Sequence, residues 1–170
     1  MAQNKDNSSR ETIAVIGLGR SGIAAAKLLK REGKKVIILD KSESEDHMVI
    51  AEDLREIGIS VELGKPLKIS SFEPWLPNIS EVIISPSIPW DNKTINQLRD
   101  LDIKIKGEIC LAWERIRDVK WIGITGTNGK TTVTEMLQYI MSKNNIRCDM
   151  AGNIGRPTSE ICLQYINNPN

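Results

Sequence analysis

The chain has 170 residues, of which 40% are hydrophobic and 26% charged, the composition of a globular protein with room for one complete domain and part of another. Its 23 basic and 22 acidic residues leave a net charge of +1, so the overall charge argues against nucleic acid and against a membrane surface as partners. No apolar run approaches the roughly 18 residues of a membrane span, and residues 1–11 are predicted to be a disordered lead-in without an export signal.

The three cysteines, Cys110, Cys148 and Cys162, are far apart and odd in number. They form no C-x-x-C pair, which argues against disulfides and against a zinc site and favours reduced thiols with packing roles. We therefore expect a cytoplasmic protein.

The first part of the chain carries a G-x-G-x-x-G turn between a predicted strand and a predicted helix. A second predicted strand ends at Asp40, 18 residues after Gly22, which is near the spacing at which a Rossmann unit places an acid on the nucleotide ribose. Taken alone, the pattern predicts a dinucleotide cofactor, but the same turn suits any nucleotide with a diphosphate, and Asp40 could instead be a solvated acid at a strand end. The successive segments are residues 12–16, 17–22, 23–31 and 35–39.

Apolar periodicity predicts further helices and strands before residue 114. On the first of these helices, His47 is expected on the surface. The residues expected on its buried side are Met48, Ala51, Leu54 and Ile57, together with Val49 and Ile50. Residues 85–89 contain two prolines and follow a predicted strand, at the end where open α/β sheets bind ligands. This loop either lines the same crevice as the glycine turn or is a simple connector. The predicted helices are residues 45–57, 70–76, 93–101 and 107–113, and the predicted strands are residues 59–63, 81–85 and 103–106.

The stretch around Lys130 predicts a phosphate cradle. Residues 119–124 form an apolar run that predicts a buried strand, and Gly126 and Gly129 allow a loop whose N–H groups point inward. Lys130 and Thr131 then stand at the start of a helix, where a lysine meets the β- and γ-phosphates and a hydroxyl binds Mg²⁺. The strict P-loop pattern has a glycine six positions before the lysine, which this chain lacks, but the chemistry needs only the N–H donors, the lysine and the hydroxyl. The alternative is a tight turn before an ordinary amphipathic helix.

A helix, a strand, a second glycine-rich loop and a final helix are predicted after the cradle. Asn153 in that loop either contacts a phosphate or sugar or is a plain turn residue. The four segments are residues 133–141, 146–150, 151–157 and 158–165.

The charged segment of residues 114–120 predicts a domain junction. The expected division is a lead-in at residues 1–11, a first domain at residues 12–116 and an incomplete P-loop domain at residues 117–170. Only 40 residues follow Lys130, and no apolar strand among them ends in an acid. The second metal ligand and the acceptor site are therefore not located, and we expect a truncated chain.

With two nucleotide sites in this order, the chain resembles the Mur ligases, ATP-dependent enzymes that add amino acids to the peptidoglycan precursor. It most resembles those that add D-glutamate. The G-T-N-G-K-T form of their loop also lacks the early glycine. The resemblance runs from residue 13 to about residue 157 and is carried by residues 17–22, 38–40, 85–88, 106–109, 124–131 and 152–155.

The resemblance implies an α/β fold in which a Rossmann-like parallel-sheet domain holds UDP rather than NAD and precedes the start of a P-loop ATP-binding α/β domain. Arg20, Ser21 and Gly22 would meet the diphosphate, and Asp40 and Lys41 the uridine. The family commonly has glycine at the position of Ser87, so this chain departs from the family pattern there. The UDP-substrate residues would be Gly17, Gly19, Arg20, Ser21, Gly22, Asp40, Lys41, Ser85, Pro86, Ser87 and Asn153.

The same resemblance implies that ATP phosphorylates the alanine carboxylate of UDP-N-acetylmuramoyl-L-alanine and that the amine of D-glutamate displaces phosphate from the acyl phosphate. Lys130 and Thr131 would be catalytic, with Thr131 as a ligand of Mg²⁺. The full-length protein is expected to be a monomer, and the 170 residues alone are expected to show no ligase turnover. A non-catalytic UDP-sugar-binding module and an NAD-dependent oxidoreductase remain as alternatives. The ATP-binding residues would be Gly126, Thr127, Asn128, Gly129, Lys130, Thr131 and Thr132.

Overall fold

A parallel sheet flanked by helices forms the centre of the molecule, for which a computed structural model describes residues 11–167. The strands are β1 (Thr12–Ile16), β2 (Lys35–Leu39), β3 (Ser60–Glu62), β4 (Ile79–Ile84) and β5 (Lys104–Gly107). The helices are α1 (Arg20–Arg31), α2 (Glu45–Glu56), α3 (Lys93–Asp100), α4 (Glu108–Ile116), α5 (Lys130–Lys143) and α6 (Thr158–Asn167). The predicted α/β fold is therefore confirmed.

The strands pair in parallel in the order β3-β2-β1-β4-β5, so β5 is an edge strand, as predicted. Ile16 of β1 pairs with Leu39 of β2 on one side and with Ile84 of β4 on the other. The three strands therefore end at the same level, and the loops that follow them meet at one edge of the sheet. Because the chain order reverses beside β1, this edge holds the crevice in which open α/β sheets bind ligands.

Continuous apolar runs explain why β1, β2 and β4 are buried on both faces. One core lies between the sheet and the side that carries α1, α2 and α4, and a second core lies between the sheet and α3. On α1, Ala25, Ala26 and Leu29 are fully buried and form a stripe of mostly small residues. That stripe lets α1 lie close to the sheet and so fixes the position of the glycine turn before it.

Two strands predicted in the second part of the chain are wrong. Residues 119–124 form no strand, and Trp121 and Ile122 are 40% and 57% exposed. Residues 146–150 form none either, and one isolated bridge joins Ala151 to Arg156 just beyond them. A parallel strand needs a neighbour to accept its backbone hydrogen bonds, and within residues 11–167 neither segment has one.

Two smaller predictions also fail. The helix expected at residues 70–76 is only a single turn of 3-10 helix (Ile69–Ser71) followed by turns. On α2, Ala51 and Leu54 reach the core as predicted, whereas Met48, Val49 and Ile57 are exposed, so their predicted burial is wrong. Because β3 has only three residues, it offers α2 a narrow apolar surface, which two side chains suffice to cover.

The final helix, α6, packs on the first part of the chain. It lies against α1 and α4, and Cys162 is fully buried in the core that those helices form with the sheet. At its start, the backbone N–H of Ser159 donates to Oε1 of Glu108 at 2.5 Å. The domain division at residue 117 stays a prediction, but α6 contributes to the core that lies between the sheet and α1 and α4.

The cysteines are all free thiols. Cys162 has the packing role expected of it, whereas Cys110 is exposed, so the packing role predicted for that residue is wrong. No helix within the described part of the chain is long and apolar enough to cross a membrane. The predicted lead-in at residues 1–11 falls almost entirely outside the described residues.

Candidate nucleotide-binding sites

A cavity of about 810 Å³ lies at the carboxyl ends of β1, β2 and β4. The three loops that the sequence marked separately, after β1, after β4 and after α5, all contribute to its wall. Every residue predicted to bind the UDP substrate lines this one cavity: Gly17, Gly19, Arg20, Ser21, Gly22, Asp40, Lys41, Ser85, Pro86, Ser87 and Asn153. The structure thus brings the predicted residues together, while the ligand they bind stays a prediction.

The glycine turn is built so that backbone can approach backbone. A Cβ atom at Gly22 would overlap the carbonyl oxygen of Gly17, so only glycine fits at this position. Gly19 precedes α1 as its N-cap, and no side chain caps the helix. The N–H groups of the first turn therefore point toward the cavity side without a partner among the described residues, where the helix dipole favours an anion.

Asp40 holds the glycine turn in place from the end of β2. Its Oδ2 accepts a hydrogen bond from the N–H of Leu18 at 2.6 Å, and its Oδ1 accepts one from the N–H of Ser42 at 2.7 Å. The Asp40 side chain is only 12% exposed, so the alternative of a solvated acid does not fit. Both carboxylate oxygens keep free lone pairs, so the carboxylate can also accept from a ligand.

His47 lies beside this carboxylate. Its Nε2 is 3.9 Å from Oδ1 of Asp40, and its Nδ1 is 2.7 Å from the hydroxyl of Ser44, the N-cap of α2. The imidazole is partly exposed, which fits the surface position predicted for it. His47 and Asp40 belong to no larger metal-ligating cluster, since the described residues contain no group of three or more His, Cys, Asp or Glu able to hold a metal ion.

The proline-containing loop after β4 forms the opposite wall of the crevice from β2. Ser85 and Ser87 lie with their hydroxyl oxygens 2.8 Å apart, and the N–H of Ile88 donates to the carbonyl of Ser85 at 3.0 Å. The two hydroxyls face the cavity and offer donors and acceptors to a sugar. The alternative of a simple connector therefore does not fit this loop.

The second glycine-rich loop closes the cavity from the other end of the chain. Nη2 of Arg20 donates to the carbonyl of Gly155 at 3.2 Å, across 135 residues of sequence. Gly152, Asn153 and Gly155 consequently line the cavity beside the first glycine turn. The contact ties the start of α1 to the segment that leads into α6.

The lining residues that sequence reasoning missed include Lys65 and Leu67. They follow β3, the strand next to β2. The available signal was their position after a predicted strand of the parallel sheet, because all such segments emerge at the ligand-binding edge.

The predicted phosphate cradle forms a loop and a helix start without the strand before them. Gly129 has a φ of 75° and caps α5, which begins at Lys130 with no side-chain cap. Nζ of Lys130 bends back to the carbonyl of Gly126 and lies 3.4 Å from that of Thr127. Residues 125–133 are exposed, so the first-turn N–H groups, the ammonium and the Thr131 hydroxyl are all accessible to an anion with its metal ion. The residues therefore fit a phosphate group.

Two models of known protein families match the chain. The first is described as the Mur ligase MurD-like, N-terminal domain, and covers residues 11–107. The second is described as the Mur ligase middle domain and covers residues 124–169. The first glycine turn and Asp40 lie within the first match, and the phosphate cradle lies within the second.

Two curated relatives share one name. A UDP-N-acetylmuramoylalanine--D-glutamate ligase of Synechococcus sp. (strain CC9902) is 47% identical over 150 residues, which are 88% of this chain and 32% of that protein. The same-named protein of Prochlorococcus marinus (strain MIT 9313) is 48% identical over 151 residues, which are 89% of this chain and 33% of that protein. The chain spans about a third of the length of the curated relatives that it matches.

Solved structures agree on the fold. A murein peptide ligase from Psychrobacter arcticus matches 79% of this chain and 27% of its own chain, with a TM-score of 0.51 and 20% identity. A UDP-N-acetylmuramate:L-alanyl-gamma-D-glutamyl-meso-diaminopimelate ligase from Neisseria meningitides matches 79% of this chain and 40% of its own, with a TM-score of 0.51 and 19% identity.

Proposed function

Because the chain belongs to the Mur ligase family, in its MurD-like branch, we propose that it supplies the UDP-sugar site and the ATP site of an ATP-dependent amide-bond ligase. The proposed reaction adds D-glutamate to UDP-N-acetylmuramoyl-L-alanine in peptidoglycan precursor synthesis, and so serves cell-wall assembly, cell shape and cell division. The observation that carries the proposal is the meeting of all predicted UDP-substrate residues in one cavity. The names of the relatives support the choice of substrates.

In the first site, the N–H groups at the start of α1 and the guanidinium of Arg20 would bind the diphosphate. Asp40 and Lys41, after β2, would contact the uridine, and the hydroxyls of Ser85 and Ser87 would contact the sugar. These roles follow the positions of the residues around the cavity, from β2 across β1 to β4. The NAD-dependent oxidoreductase is disfavoured by the family to which the chain belongs.

In the second site, Lys130 would neutralise the γ-phosphoryl charge of ATP, and the N–H groups of residues 127–130 would fix the phosphates. Thr131 would hold Mg²⁺, which supplies charge neutralisation on the phosphate oxygens when bound. A carboxylate oxygen of the alanine would attack the γ-phosphorus and release ADP. The amine of D-glutamate would then attack the acyl carbon, form the amide bond and release phosphate.

The proposal has further parts that rest on the sequence expectations. We place the protein in the cytoplasm, as a monomer when full length, with ATP and Mg²⁺ as co-substrate and metal. The 170 residues alone would bind nucleotides without ligase turnover, since they span about a third of the relatives. Phosphate release from these residues that requires both UDP-N-acetylmuramoyl-L-alanine and D-glutamate would contradict this part.

Calorimetry with the 170-residue chain tests the first site. UDP-N-acetylmuramoyl-L-alanine should bind and NAD should not. Arg20→Ala should weaken binding of the UDP-sugar by about tenfold, because it removes a charge-assisted hydrogen bond to phosphate. Lys27→Ala is the matched control, since Lys27 is an exposed cation on the same helix and does not line the cavity. Tight binding of NAD with no binding of the UDP-sugar would favour the oxidoreductase instead.

Titration with ATP tests the second site. Lys130→Ala should weaken ATP binding by about tenfold or more, since the P-loop lysine meets the β- and γ-phosphates. Lys143→Ala, at the other end of α5, is the control and should bind ATP like the unchanged chain. If the unchanged chain and both variants bind ATP with equal affinity, Lys130 does not bind ATP as proposed. If the chain then binds the UDP-sugar but not ATP, the non-catalytic module is favoured.

A further inference from the structure

Lys65 is a cation in the wall of the UDP cavity that the family resemblance does not assign. It follows β3, whereas Arg20 follows β1 and Lys41 follows β2. Three neighbouring strands of the sheet therefore each place one cation at the same edge. The only acid among the residues that line the cavity is Asp40.

The backbone around Lys65 is held on both sides. The N–H of Lys65 donates to the carbonyl of Asp40 at 2.8 Å, and the N–H of Asp40 donates to the carbonyl of Glu62 at 3.0 Å. Two residues further on, the carbonyl of Leu67 accepts from the hydroxyl of Thr94 at 3.0 Å, and Thr94 is buried. The segment is thus attached both to the end of β2 and to α3.

Pro66 adds a further restriction. A residue before proline is confined to extended backbone conformations, so Lys65 has little freedom to turn its Cα–Cβ bond away. Leu67 packs against the core on the α3 side of the sheet. Lys65 therefore stands at a fixed place in the cavity wall, half-buried, rather than on a loose surface loop.

The ammonium of Lys65 has no ion pair and no side-chain hydrogen bond to any other residue between 11 and 167. By contrast, Asp40 already accepts hydrogen bonds from two backbone N–H groups. The Glu43 carboxylate lies nearby, beside Gly64, but the three cations that line the cavity still outnumber Asp40 and Glu43, although the whole chain is close to neutral at +1. Such a local excess in a concave site attracts a ligand with more than one negative charge.

We propose that Lys65 is a third cation of the nucleotide site, which binds the diphosphate of the UDP-sugar and so sets the preference for a nucleoside diphosphate over the uncharged nucleoside. This inference rests on the proposed function of the cavity. Lys65 starts beyond β2, so its flexible four-carbon side chain would extend past the end of β2 to the diphosphate, while Arg20 binds the diphosphate from β1. Lys65 acts as a binding residue and takes no part in bond making.

Calorimetry with two probes, UDP and uridine, tests the proposal on the full 170-residue chain. Lys65→Gln keeps the length of the side chain and removes its charge. We expect it to weaken UDP binding by about tenfold and to leave uridine binding unchanged. The affinity for UDP should also depend less on salt in this variant, because one screened charge pair is lost. Lys65→Arg keeps the charge and should restore most of the UDP affinity.

Lys68→Gln is the matched control, because Lys68 lies on the same segment, is exposed and does not line the cavity. Its UDP affinity should equal that of the unchanged chain. If the unchanged chain binds UDP and Lys65→Gln binds it equally well, the inference is overturned while the proposed function stands. Equal weakening of UDP and uridine would also overturn it, since Lys65 would then act on the nucleoside. Failure of the unchanged chain to bind UDP would overturn the proposed function, and the inference with it.

Discussion

Substitution of Glu108 tests how α6 is held against α1 and α4. This carboxylate is only 2% exposed and accepts the N–H of Ser159, which is itself completely buried. Glu108→Ala would leave that N–H without a partner inside the protein. A hydrogen bond to a charged group contributes about 1.5 to 3 kcal/mol, and a negative charge near a helix N-terminus adds about 0.3 to 1 kcal/mol.

Removal of a buried charge also relieves a desolvation cost, which offsets part of this sum. We therefore expect Glu108→Ala to lower the free energy of unfolding by about 2 kcal/mol, which for a chain of this size lowers the melting temperature by about 4 to 8 °C. Glu108→Gln keeps an acceptor oxygen and loses the charge, so its effect should be about half as large. Glu52→Ala, on the exposed side of α2, is the control and should stay within about 0.5 kcal/mol of the unchanged chain.

Urea unfolding measures the global effect, and native-state hydrogen exchange of the α6 amides measures the local one. The second measurement is needed because α6 could detach without global unfolding. In Glu108→Ala, exchange in α6 should become faster than in Glu52→Ala, while exchange in β1 should change less. Unchanged exchange in α6 together with an unchanged unfolding midpoint would refute the view that Glu108 anchors this helix.

Four further predictions concern three single residues. Burial raises the pKa of the Cys162 thiol to about 11, so iodoacetamide at pH 8 should modify Cys110 long before Cys162 in the folded chain and both at similar rates in urea. Because that pKa lies above the ordinary value of 9.0, stability should fall as pH rises from about 9 to about 11, and Cys162→Ala should lessen this fall in urea titrations. Gly22→Ala should lower the melting temperature and abolish UDP binding because its Cβ has no room, whereas Gly19→Ala, with open space around it, should keep the melting temperature. Lys106→Ala should lower the free energy of unfolding by about 1 kcal/mol in low salt and by less in high salt, a value kept small because the ammonium is partly exposed.

The reason for the last prediction is a small charge network at the β4–β5 edge. Nζ of Lys106 lies 3.1 Å from Oε1 of Glu81 and 2.8 Å from Oε2 of Glu114. Burial lowers the pKa of Lys106, but the two carboxylates outweigh burial, so the pKa is raised overall. Without the ammonium, the mostly buried Glu81 would lack its cation. An equal loss of stability at low and high salt would contradict this electrostatic reasoning.

The first part of the fold could be predicted from the sequence because its signals are local. The central strands β1, β2 and β4 contain apolar runs. Helices there have their own start residues, such as Ser44 before α2 and Asn92 before α3, whose side chains cap those helices. The predicted site residues come together because parallel strands that end level bring their loops to one edge. The position of each site residue after a predicted strand was therefore enough to predict that these residues lie together.

The second part could not be predicted in the same way because its structure depends on distant partners. The apolar residues 119–124 have the composition of a strand, yet a strand exists only where another strand accepts its hydrogen bonds. The burial of Glu108 carries no sequence signal either, since its partner Ser159 lies 51 residues away. Lys65 was missed for a related reason: its position after a predicted strand indicated the ligand-binding edge, but its place in the cavity wall depends on contacts with Asp40 and Thr94, which are distant in sequence.

The position of α6 brings a segment from after the phosphate cradle into the wall of the UDP cavity. The loop that contains Asn153 and Gly155 comes after α5, the helix of the phosphate cradle, yet it lines the UDP cavity. Two contacts hold the loop there. Arg20 donates a hydrogen bond to the Gly155 carbonyl, and α6, which follows the loop, packs against α1 and α4. The UDP cavity is consequently built from chain segments on both sides of the cradle. Residues 12–116 alone would lack one wall of this cavity, so the predicted junction at residue 117 divides the sequence but not the site.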